Sequence, residues 1–158
     1  MIIRTIEPKD NLSIKSLIRR SLESLKLDRE GTAYTDPQLG SLAEYYASID
    51  QASYWVAEQD GEVVGGIGIA PFDKKKEICE LQKLYLHPKV QGQGFSKKLM
   101  EVALTFASHH YSHCYLETHH SLTTASSLYE RFGFKLLPEP ISGSEHSAMD
   151  AWYLKKLT

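Results

Sequence analysis

The chain has 158 residues, of which 42% are hydrophobic and 24% are charged, and this composition predicts one globular domain over residues 1–158. A formal net charge of −2 argues against a nucleic-acid partner. No window of the sequence approaches the roughly 18 apolar residues of a membrane span, and the N-terminus lacks the apolar core of a signal peptide. We therefore expect a cytoplasmic protein with no membrane partner.

The first half of the chain mixes helical and strand patterns. It is predicted to form, in order, strand 2–5, helix 12–25, helix 37–48, strand 53–58, strand 63–70 and strand 78–86. Asp60-Gly61 predicts a two-residue hairpin turn between two of these strands. The strand after the turn contains Gly65, Gly66 and Gly68, where we expect another backbone or a ligand to approach closely.

The apolar pattern of segment 78–86 changes phase in its middle. Cys79 and Leu81 are apolar at odd positions, whereas Leu84 and Leu86 are apolar at even positions. Because one extra residue in a strand reverses its two faces, the change predicts a β-bulge near Gln82-Lys83. The alternative is a strand that is buried on both faces, whose pattern carries little information.

The second half begins with a glycine-containing loop and a long amphipathic helix. Phe95, Leu99, Val102, Ala103 and Phe106 share one face of this helix. The remaining predicted elements are strand 113–118, helix 122–132, strand 134–137 and strand 149–154. The predicted order is therefore βααβββαβαββ, an α/β (α+β) arrangement.

The start of this long helix lacks the usual stabilising features. No Ser, Thr, Asp or Asn directly precedes the loop Gln91–Ser96 to cap the free N–H groups. Lys97 and Lys98 lie in the first turn, where a positive charge opposes the helix dipole by about 0.3–1 kcal/mol. A bound anion accounts for both features, since the glycines let backbone N–H groups approach a phosphate. The alternative is an ordinary tight turn.

Two motifs carry most of the functional information in this chain. The first is Gln91-x-x-Gly94-x-Ser96, and the second is Ala125-x-x-Leu128-Tyr129-Glu130-Arg131-x-Gly133-Phe134. Together they resemble the signatures of the GNAT superfamily of N-acetyltransferases over residues 62–134, although Gln and Ser are the less usual choices at positions 91 and 96. The resemblance implies the GNAT fold, a mixed, mostly antiparallel sheet of about seven strands flanked by four helices. The sheet of this fold opens into a V between its fourth and fifth strands.

The resemblance also implies acetyl transfer from acetyl-coenzyme A to a primary amine, without a metal. The family holds the pantetheine arm on the fourth strand and the pyrophosphate on the glycine-containing loop. The residues that the resemblance assigns to cofactor binding are Leu84, Tyr85, Leu86, Gln91, Gly92, Gln93, Gly94, Phe95, Ser96, Lys97, Thr118 and Ser126. For Ser126, an exposed helix serine without a role is an equally good interpretation.

An acetyltransferase of this kind needs an acceptor amine that has lost its proton. An amine with a pKa of about 10 is only about 0.1% unprotonated at pH 7, so a nearby carboxylate is useful as a base. Glu80 lies eleven residues before Gln91, and this register matches the base glutamate of one branch of the family. The alternatives are a strand-end charge paired with a lysine, and a bound water as the base.

The departing thiolate needs a proton donor. Tyr129 occupies the position of the family's usual donor, and a phenol stays protonated at pH 7. The alternative for Tyr129 is a core aromatic residue on the apolar face of its helix.

The acceptor is not specified by the sequence beyond a primary amine of a small molecule or a peptide. The polar aromatic candidates to line its pocket are Tyr34, Tyr45, Tyr46, His119, His120, His146 and Trp152. A metal shared by His119 and His120 is disfavoured, because adjacent side chains point in different directions. Cys79 and Cys114 have no metal-ligand spacing and are interpreted as buried, reduced residues.

Two other functions compete with this one. A non-catalytic acyl-coenzyme A sensor has the same loop but no reason to hold both Glu80 and Tyr129. A nucleotide-binding protein is disfavoured, because the loop lacks the Gly-Lys-Ser/Thr ending of a Walker motif. We expect a monomer or a homodimer.

Overall fold

The helices and strands follow one another in the predicted order. The computed structural model describes residues 1–143 and 146–157. In this part of the chain the elements are β1 (Ile2–Thr5), α1 (Asn11–Ser24), α2 (Leu42–Ala47), β2 (Ser53–Gln59), β3 (Glu62–Asp73), β4 (Ile78–Leu86), α3 (Phe95–Ser108), β5 (His113–Thr118), α4 (Thr123–Arg131), β6 (Lys135–Leu137) and β7 (Ala151–Lys156).

The strands form one seven-stranded sheet in the order β1-β2-β3-β4-β5-β7-β6. Neighbouring strands are antiparallel except for β4 and β5, which are parallel. This parallel pair is short, because only Ile78–Glu80 of β4 pairs with His113–Tyr115 of β5. Beyond Glu80 the two strands part, and the predicted V-shaped opening is confirmed.

The two cysteines face each other in this short parallel pair. Cys79 of β4 lies in register with Cys114 of β5. Both thiols are free and both residues have no exposed surface, as the sequence predicted. Burial raises the pKa of the Cys114 thiol, so it remains protonated and unreactive.

The β-bulge in β4 is also confirmed. Gly66 of β3 pairs with Tyr85, and Gly68 pairs with Gln82, so β4 has one extra residue between these two pairs. Within this bulge, Lys83 adopts a left-handed backbone conformation with φ of 52°. This conformation is costly for a residue with a side chain, and it re-aims the side chains of the second half of β4.

Helices cover both faces of the sheet. Tyr54 and Val56 of β2 pack in a core with α1 and α2, whereas Trp55 and Ala57 pack on the opposite face with α3 and α4. All four residues are buried. Each large apolar side chain that is removed from water contributes about 1.5–3 kcal/mol, and this burial fixes the helices against the sheet.

The three glycines of β3 make room for neighbouring groups. A Cβ on Gly65 would lie 3.0 Å from a backbone carbonyl of β4, which is the close backbone approach that the sequence indicated. A Cβ on Gly66 would lie 2.5 Å from the Tyr54 ring, and one on Gly68 would lie 2.7 Å from the Tyr46 hydroxyl. At two of the three positions the glycine therefore accommodates an aromatic side chain.

The second helix is shorter than predicted. It begins at Leu42 and has six residues, whereas the sequence indicated a helix over residues 37–48. The preceding segment forms hydrogen-bonded turns, in which the N–H of Leu39 donates to the C=O of Asp36. Gly40 lies in these turns, and glycine is a poor helix former. None of the helices in ranges 1–143 and 146–157 is long and apolar enough to cross a membrane.

Candidate active site

A large cleft opens where β4 and β5 part. Its volume is about 1410 Å³, which leaves room for a ligand larger than an ordinary drug-sized molecule. The cleft is lined by Glu80, by the second half of β4, by the loop before α3, by Thr118 at the end of β5 and by Tyr129 on α4. The topology therefore brings the two predicted catalytic residues to one cavity.

The loop before α3 presents free backbone donors to this cleft. Gly92 and Gly94 have left-handed φ angles of 80° and 83°. Within the described residues no backbone carbonyl accepts a bond from the N–H groups of Gly92, Gly94, Phe95, Ser96 or Lys97. Free N–H groups at the positive end of a helix bind phosphate well.

The glycines of this loop also leave space above the backbone. A Cβ on Gly92 or on Gly94 would have no heavy atom within 4 Å. The positive φ angles keep side-chain-bearing residues out of these positions, so the open face stays clear for a ligand. The loop therefore fits a pyrophosphate group.

The second half of β4 forms another part of the wall. Tyr85 and Leu86 pair with β3 on one side. On the other side β5 has already turned away, so the β4 backbone groups along that edge face the cleft without a strand partner in the described chain. An unpaired strand edge is able to bind an extended amide-containing ligand as an added strand would.

Ten of the twelve predicted cofactor residues line the cleft. They are Leu84, Tyr85, Leu86, Gln91, Gly92, Gly94, Phe95, Ser96, Lys97 and Thr118. The other two are placed differently. The carboxamide of Gln93 donates to the C=O of Lys89 at 3.0 Å, and Ser126 lies on α4 outside the cleft lining. The role of each residue in cofactor binding stays a prediction.

Glu80 lies at the point where the cleft begins. It forms the last pair of β4 with β5, opposite Tyr115. Its carboxylate accepts a hydrogen bond of 2.7 Å from the Gln82 carboxamide. Burial raises the pKa of Glu80, and the hydrogen bond from Gln82 offsets part of this increase. A carboxylate with a raised pKa is suited to take a proton from an amine.

Tyr129 is both a core residue and a lining residue. Its ring packs at 6.0 Å from the rings of Phe134 and Tyr153, and 6% of its surface is exposed. No group in the described chain forms a hydrogen bond with its phenol. Burial raises the pKa of Tyr129 above its ordinary value, so the phenol keeps its proton at neutral pH.

A smaller pocket, which we call the side pocket, lies beside Glu80. Its volume is about 200 Å³ and most of its lining is polar. Among the described residues, four line both cavities, namely Glu80, Gln82, Lys83 and His146. A small molecule in the side pocket therefore has access to the Glu80 carboxylate and to the cleft.

A partly buried ion cluster of Asp36, Lys83 and His146 forms part of the wall of the side pocket. The Lys83 ammonium lies 2.7 Å from the Asp36 carboxylate, and 3% of the Lys83 side chain is exposed. The Nε2 atom of His146 lies 3.1 Å from the same carboxylate. Burial opposes the charge on Asp36, but the bond to His146 and the charge of Lys83 outweigh it and lower the pKa of Asp36.

The same contacts act on the histidine of this cluster. Burial lowers the pKa of His146, but the hydrogen bond and charge of Asp36 outweigh it, so the pKa of His146 is raised. His146 lies on the segment between β6 and β7, whereas Asp36 lies between α1 and α2. The cluster therefore joins two distant segments over the side pocket.

Only some of the predicted acceptor-pocket residues reach the side pocket. Tyr45 and His146 line it, and Tyr46 reaches it through a hydrogen bond of 2.6 Å to Gln82. Tyr34 donates to the exposed Glu23 instead. Trp152 lies on β7 and does not line either cavity.

The adjacent side chains of His119 and His120 lie close together, whereas the sequence analysis expected them to point in different directions. Their ring centroids are 4.3 Å apart, and both rings lie near the Asp150 carboxylate. His120 binds Asp150 through its backbone N–H and its ring, and His119 interacts with Ser121. These bonds account for the arrangement as a hydrogen-bonded group.

Sequence reasoning did not single out Asp36, Gln82 or Lys83 as site residues. The phase change in β4 marked Gln82 and Lys83 as a bulge and gave no sign that their side chains line a pocket. Asp36 gave no local signal, since its partners Lys83 and His146 are distant in the chain.

The chain resembles known proteins over nearly its whole length. A family model described as "Acetyltransferase (GNAT) family" matches residues 18–134. A relative in Escherichia coli (strain K12), named uncharacterized N-acetyltransferase YjgM, is 36% identical over 159 residues, which cover 99% of this chain and 95% of the relative.

Solved structures share the fold. An acetyltransferase of the GNAT family from Staphylococcus aureus Mu50 superposes with a TM-score of 0.85 at 18% identity, with 99% of each chain covered. A GNAT superfamily phosphinothricin acetyltransferase from Sinorhizobium meliloti, solved in complex with AcCoA, has a TM-score of 0.76 at 20% identity and covers 99% of this chain and 88% of its own. The sheet order and the family match agree, and the chain belongs to the acetyltransferase (GNAT) family.

Proposed function

We propose that this protein transfers an acetyl group from acetyl-coenzyme A to a primary amine, by direct attack of the amine in a ternary complex. The observation that carries the proposal is that Glu80 and Tyr129 line one cleft, whose other end is the donor-rich loop before α3. The name of the Escherichia coli relative, an N-acetyltransferase, and the AcCoA complex of the phosphinothricin acetyltransferase support the same activity.

The geometry of the cleft indicates how acetyl-coenzyme A would be bound. The free N–H groups of Gly92 and of Gly94 to Lys97 would hold the pyrophosphate, and the Lys97 ammonium adds positive charge at that site. The unpaired edge of β4 at Leu84–Leu86 would bind the amides of the pantetheine arm. Bound acetyl-coenzyme A supplies the thioester whose acetyl group is transferred.

Two residues of this chain would then move protons. Glu80 takes one proton from the acceptor ammonium, so that the nitrogen lone pair is free to form the new N–C bond. As the C–S bond breaks, Tyr129 donates its phenolic proton to the departing sulfur. The nitrogen loses its second proton to solvent as the amide forms. Solvent also returns a proton to Tyr129 and removes the one from Glu80, so each turnover releases one free thiol, one amide and one proton.

The side pocket would receive the acceptor. Its small volume and polar lining favour a small hydrophilic amine, or the tip of a peptide side chain. Glu80 lines this pocket as well as the cleft, so an amine bound there lies beside the base.

A screen of primary amines with acetyl-coenzyme A, read by thiol release, tests this proposal. We expect at least one amine to give turnover that falls strongly in both Glu80→Gln and Tyr129→Phe. A protein that binds acetyl-coenzyme A by calorimetry but releases no thiol with any amine would contradict the proposal. That result would favour the non-catalytic sensor instead.

A further inference from the structure

A series of two partly buried hydrogen bonds ends at the Glu80 carboxylate. The Tyr46 hydroxyl donates to Oε1 of Gln82 at 2.6 Å, and Nε2 of Gln82 donates to Oε1 of Glu80 at 2.7 Å. Tyr46 lies on α2 and has 2% of its surface exposed. Two elements that are distant in sequence therefore meet at the proposed base.

The surroundings of Tyr46 are built to let its hydroxyl reach Gln82. A Cβ on Gly68 would lie 2.7 Å from the Tyr46 hydroxyl and 2.8 Å from the Tyr54 ring, so no other residue fits at this position without movement. The rings of Tyr46 and Tyr54 pack with their centroids 5.3 Å apart. The Tyr46 side chain thus has little freedom to leave its hydrogen bond.

We propose that Gln82 and Tyr46 are positioning residues that hold the Glu80 carboxylate in place as the acceptor's base. This inference rests on the function proposed above, and it adds two residues to the reaction that do not touch the acetyl group.

The direction of the hydrogen bonds follows from the chemistry of the three groups. A carboxylate only accepts, so Gln82 has to turn its NH₂ group towards Glu80. Its carbonyl oxygen then faces Tyr46, which has to donate. Burial raises the pKa of Tyr46 well above its ordinary value, so this donor keeps its proton. The two hydrogen bonds therefore share one polarity when Glu80 is ionised, and the bond from Gln82 stabilises that ionised form.

Other charged and titratable groups also act on Glu80. Glu117 on β5 raises its pKa, whereas His146 and Lys83 lower it. The further titratable groups that interact with Glu80 are Tyr46, Cys114 and Tyr115. The hydrogen bond from Gln82 is the largest of the contributions that lower the pKa of Glu80. Its removal is therefore expected to change the titration of Glu80 more than a change at any one of the charged neighbours.

The test uses Tyr46→Phe and Gln82→Met, which keep the shape of each side chain and remove its hydrogen bond. The titration midpoint of the Glu80 carboxyl is followed by carbon NMR in the cofactor-free protein, with the signal assigned by its loss in Glu80→Gln. Tyr111→Phe is the matched control, because the Tyr111 hydroxyl donates to the C=O of Gln51 at 2.6 Å and lies outside both cavities.

We expect the Glu80 midpoint to rise by about one pH unit in Gln82→Met and by a smaller amount in Tyr46→Phe, with no change in Tyr111→Phe. With an amine from the screen, the acidic limb of the pH–rate profile should move by the same amounts, and the rates should recover at high pH. When Tyr46→Phe is added to Glu80→Gln, the double variant should have the same acidic limb of the pH–rate profile as Glu80→Gln alone.

The outcomes separate this inference from the proposed function. If Glu80→Gln moves the acidic limb but neither Tyr46→Phe nor Gln82→Met does, the positioning role is wrong and the base assignment stands. If Glu80→Gln leaves the limb unchanged, both are wrong. A loss of rate that is equal at every pH, with an unchanged Glu80 midpoint, would indicate a purely structural role and also overturn the inference. Should one of the two variants fail to fold, the other decides.

Discussion

Glu80 of β4 lies opposite Tyr115 of β5 in the last pair of residues that joins the two strands. On one side of this pair, the parallel strands fix the backbone of Glu80. On the other side the strands part and the cleft begins. The proposed base therefore combines a rigid backbone with a side chain that faces the ligand cavity, as catalytic groups require.

This position leads to a prediction for Glu80→Gln. Because burial raises the pKa of Glu80, the wild-type rate should increase with pH as the carboxyl loses its proton. The variant should lose roughly 10²–10⁴-fold in rate near neutrality and recover much of that loss near pH 10, where about half of the amine is unprotonated. Steady-state thiol release from pH 6 to pH 10 measures both effects. A loss that is uniform over the whole range would point to a role in binding.

Tyr129→Phe keeps the packing of the ring and removes only the phenolic hydroxyl group. The ring contacts with Phe134 and Tyr153 should survive, so the fold and the affinity for acetyl-coenzyme A should change little. Turnover should fall by roughly 10²–10⁴-fold, the usual contribution of a positioned acid. Because burial raises the pKa of Tyr129, its titration should not limit the wild-type rate below pH 10.

Thiol release and calorimetry on the same sample separate these effects for Tyr129→Phe. The Tyr111→Phe variant again serves as the control for the loss of one buried hydroxyl. Wild-type turnover in Tyr129→Phe would remove the acid role and leave Tyr129 as a core residue only.

The fold could be predicted because its signals are local. The strand that ends at Leu86, the glycine-containing loop and the amphipathic helix that follows are contiguous, and each pattern agrees with the structure. The bulge at Lys83 was visible as a change of phase, since a bulge alters the alternation of its own strand. The second helix was overestimated, because the turns over residues 36–41 keep helix-like spacing without forming a helix.

The contacts around the side pocket could not be predicted, because they are long-range. Asp36, Lys83 and His146 come from three separate segments, and their association depends on the folded sheet. The bond between Tyr46 and Gln82 spans 36 residues, and Gly68 makes room for it from a third element. A single sequence reports the residue types at these positions but not their proximity.

The loop before α3 leads to a prediction for Gly94→Ala. The left-handed φ of 83° costs an alanine about 1–2 kcal/mol, and a loop that relaxes to avoid this cost turns its N–H groups away from the cleft. We expect the affinity for acetyl-coenzyme A to fall about tenfold or more by calorimetry. Gly133→Ala is the matched control, because Gly133 has a φ of 90° at the end of α4 and does not line the cleft. Equal affinities for the two variants would contradict the assignment of the phosphate site.

The contact between His146 and Asp36 leads to a prediction about stability and pH. The raised pKa of His146 means that its contribution to the free energy of unfolding is fully present below the ordinary histidine pKa of about 6.5. That contribution is lost as the pH rises through the higher pKa of the folded state. Asp36 has the opposite pH dependence, because its pKa is lowered in the folded state. Its contribution to the free energy of unfolding is present above its ordinary pKa of about 4 and is lost as the pH falls through the lower pKa of the folded state.

His146→Gln should therefore destabilise the protein most between about pH 4 and pH 6.5. A hydrogen bond between charged groups contributes roughly 1.5–3 kcal/mol, and the neutral replacement keeps part of it, so we expect a loss of about 1 kcal/mol. For a chain of this size, that loss lowers the melting temperature by about 2–4 °C at pH 5.5. The difference should be smaller at pH 8.5 than at pH 5.5, because the wild-type histidine loses its charge as the pH rises through its raised pKa. Thermal melts of both proteins at the two pH values measure it, with the exposed His109→Gln as control. An equal or larger difference at pH 8.5 would show that His146 acts through packing and that its charge is not involved.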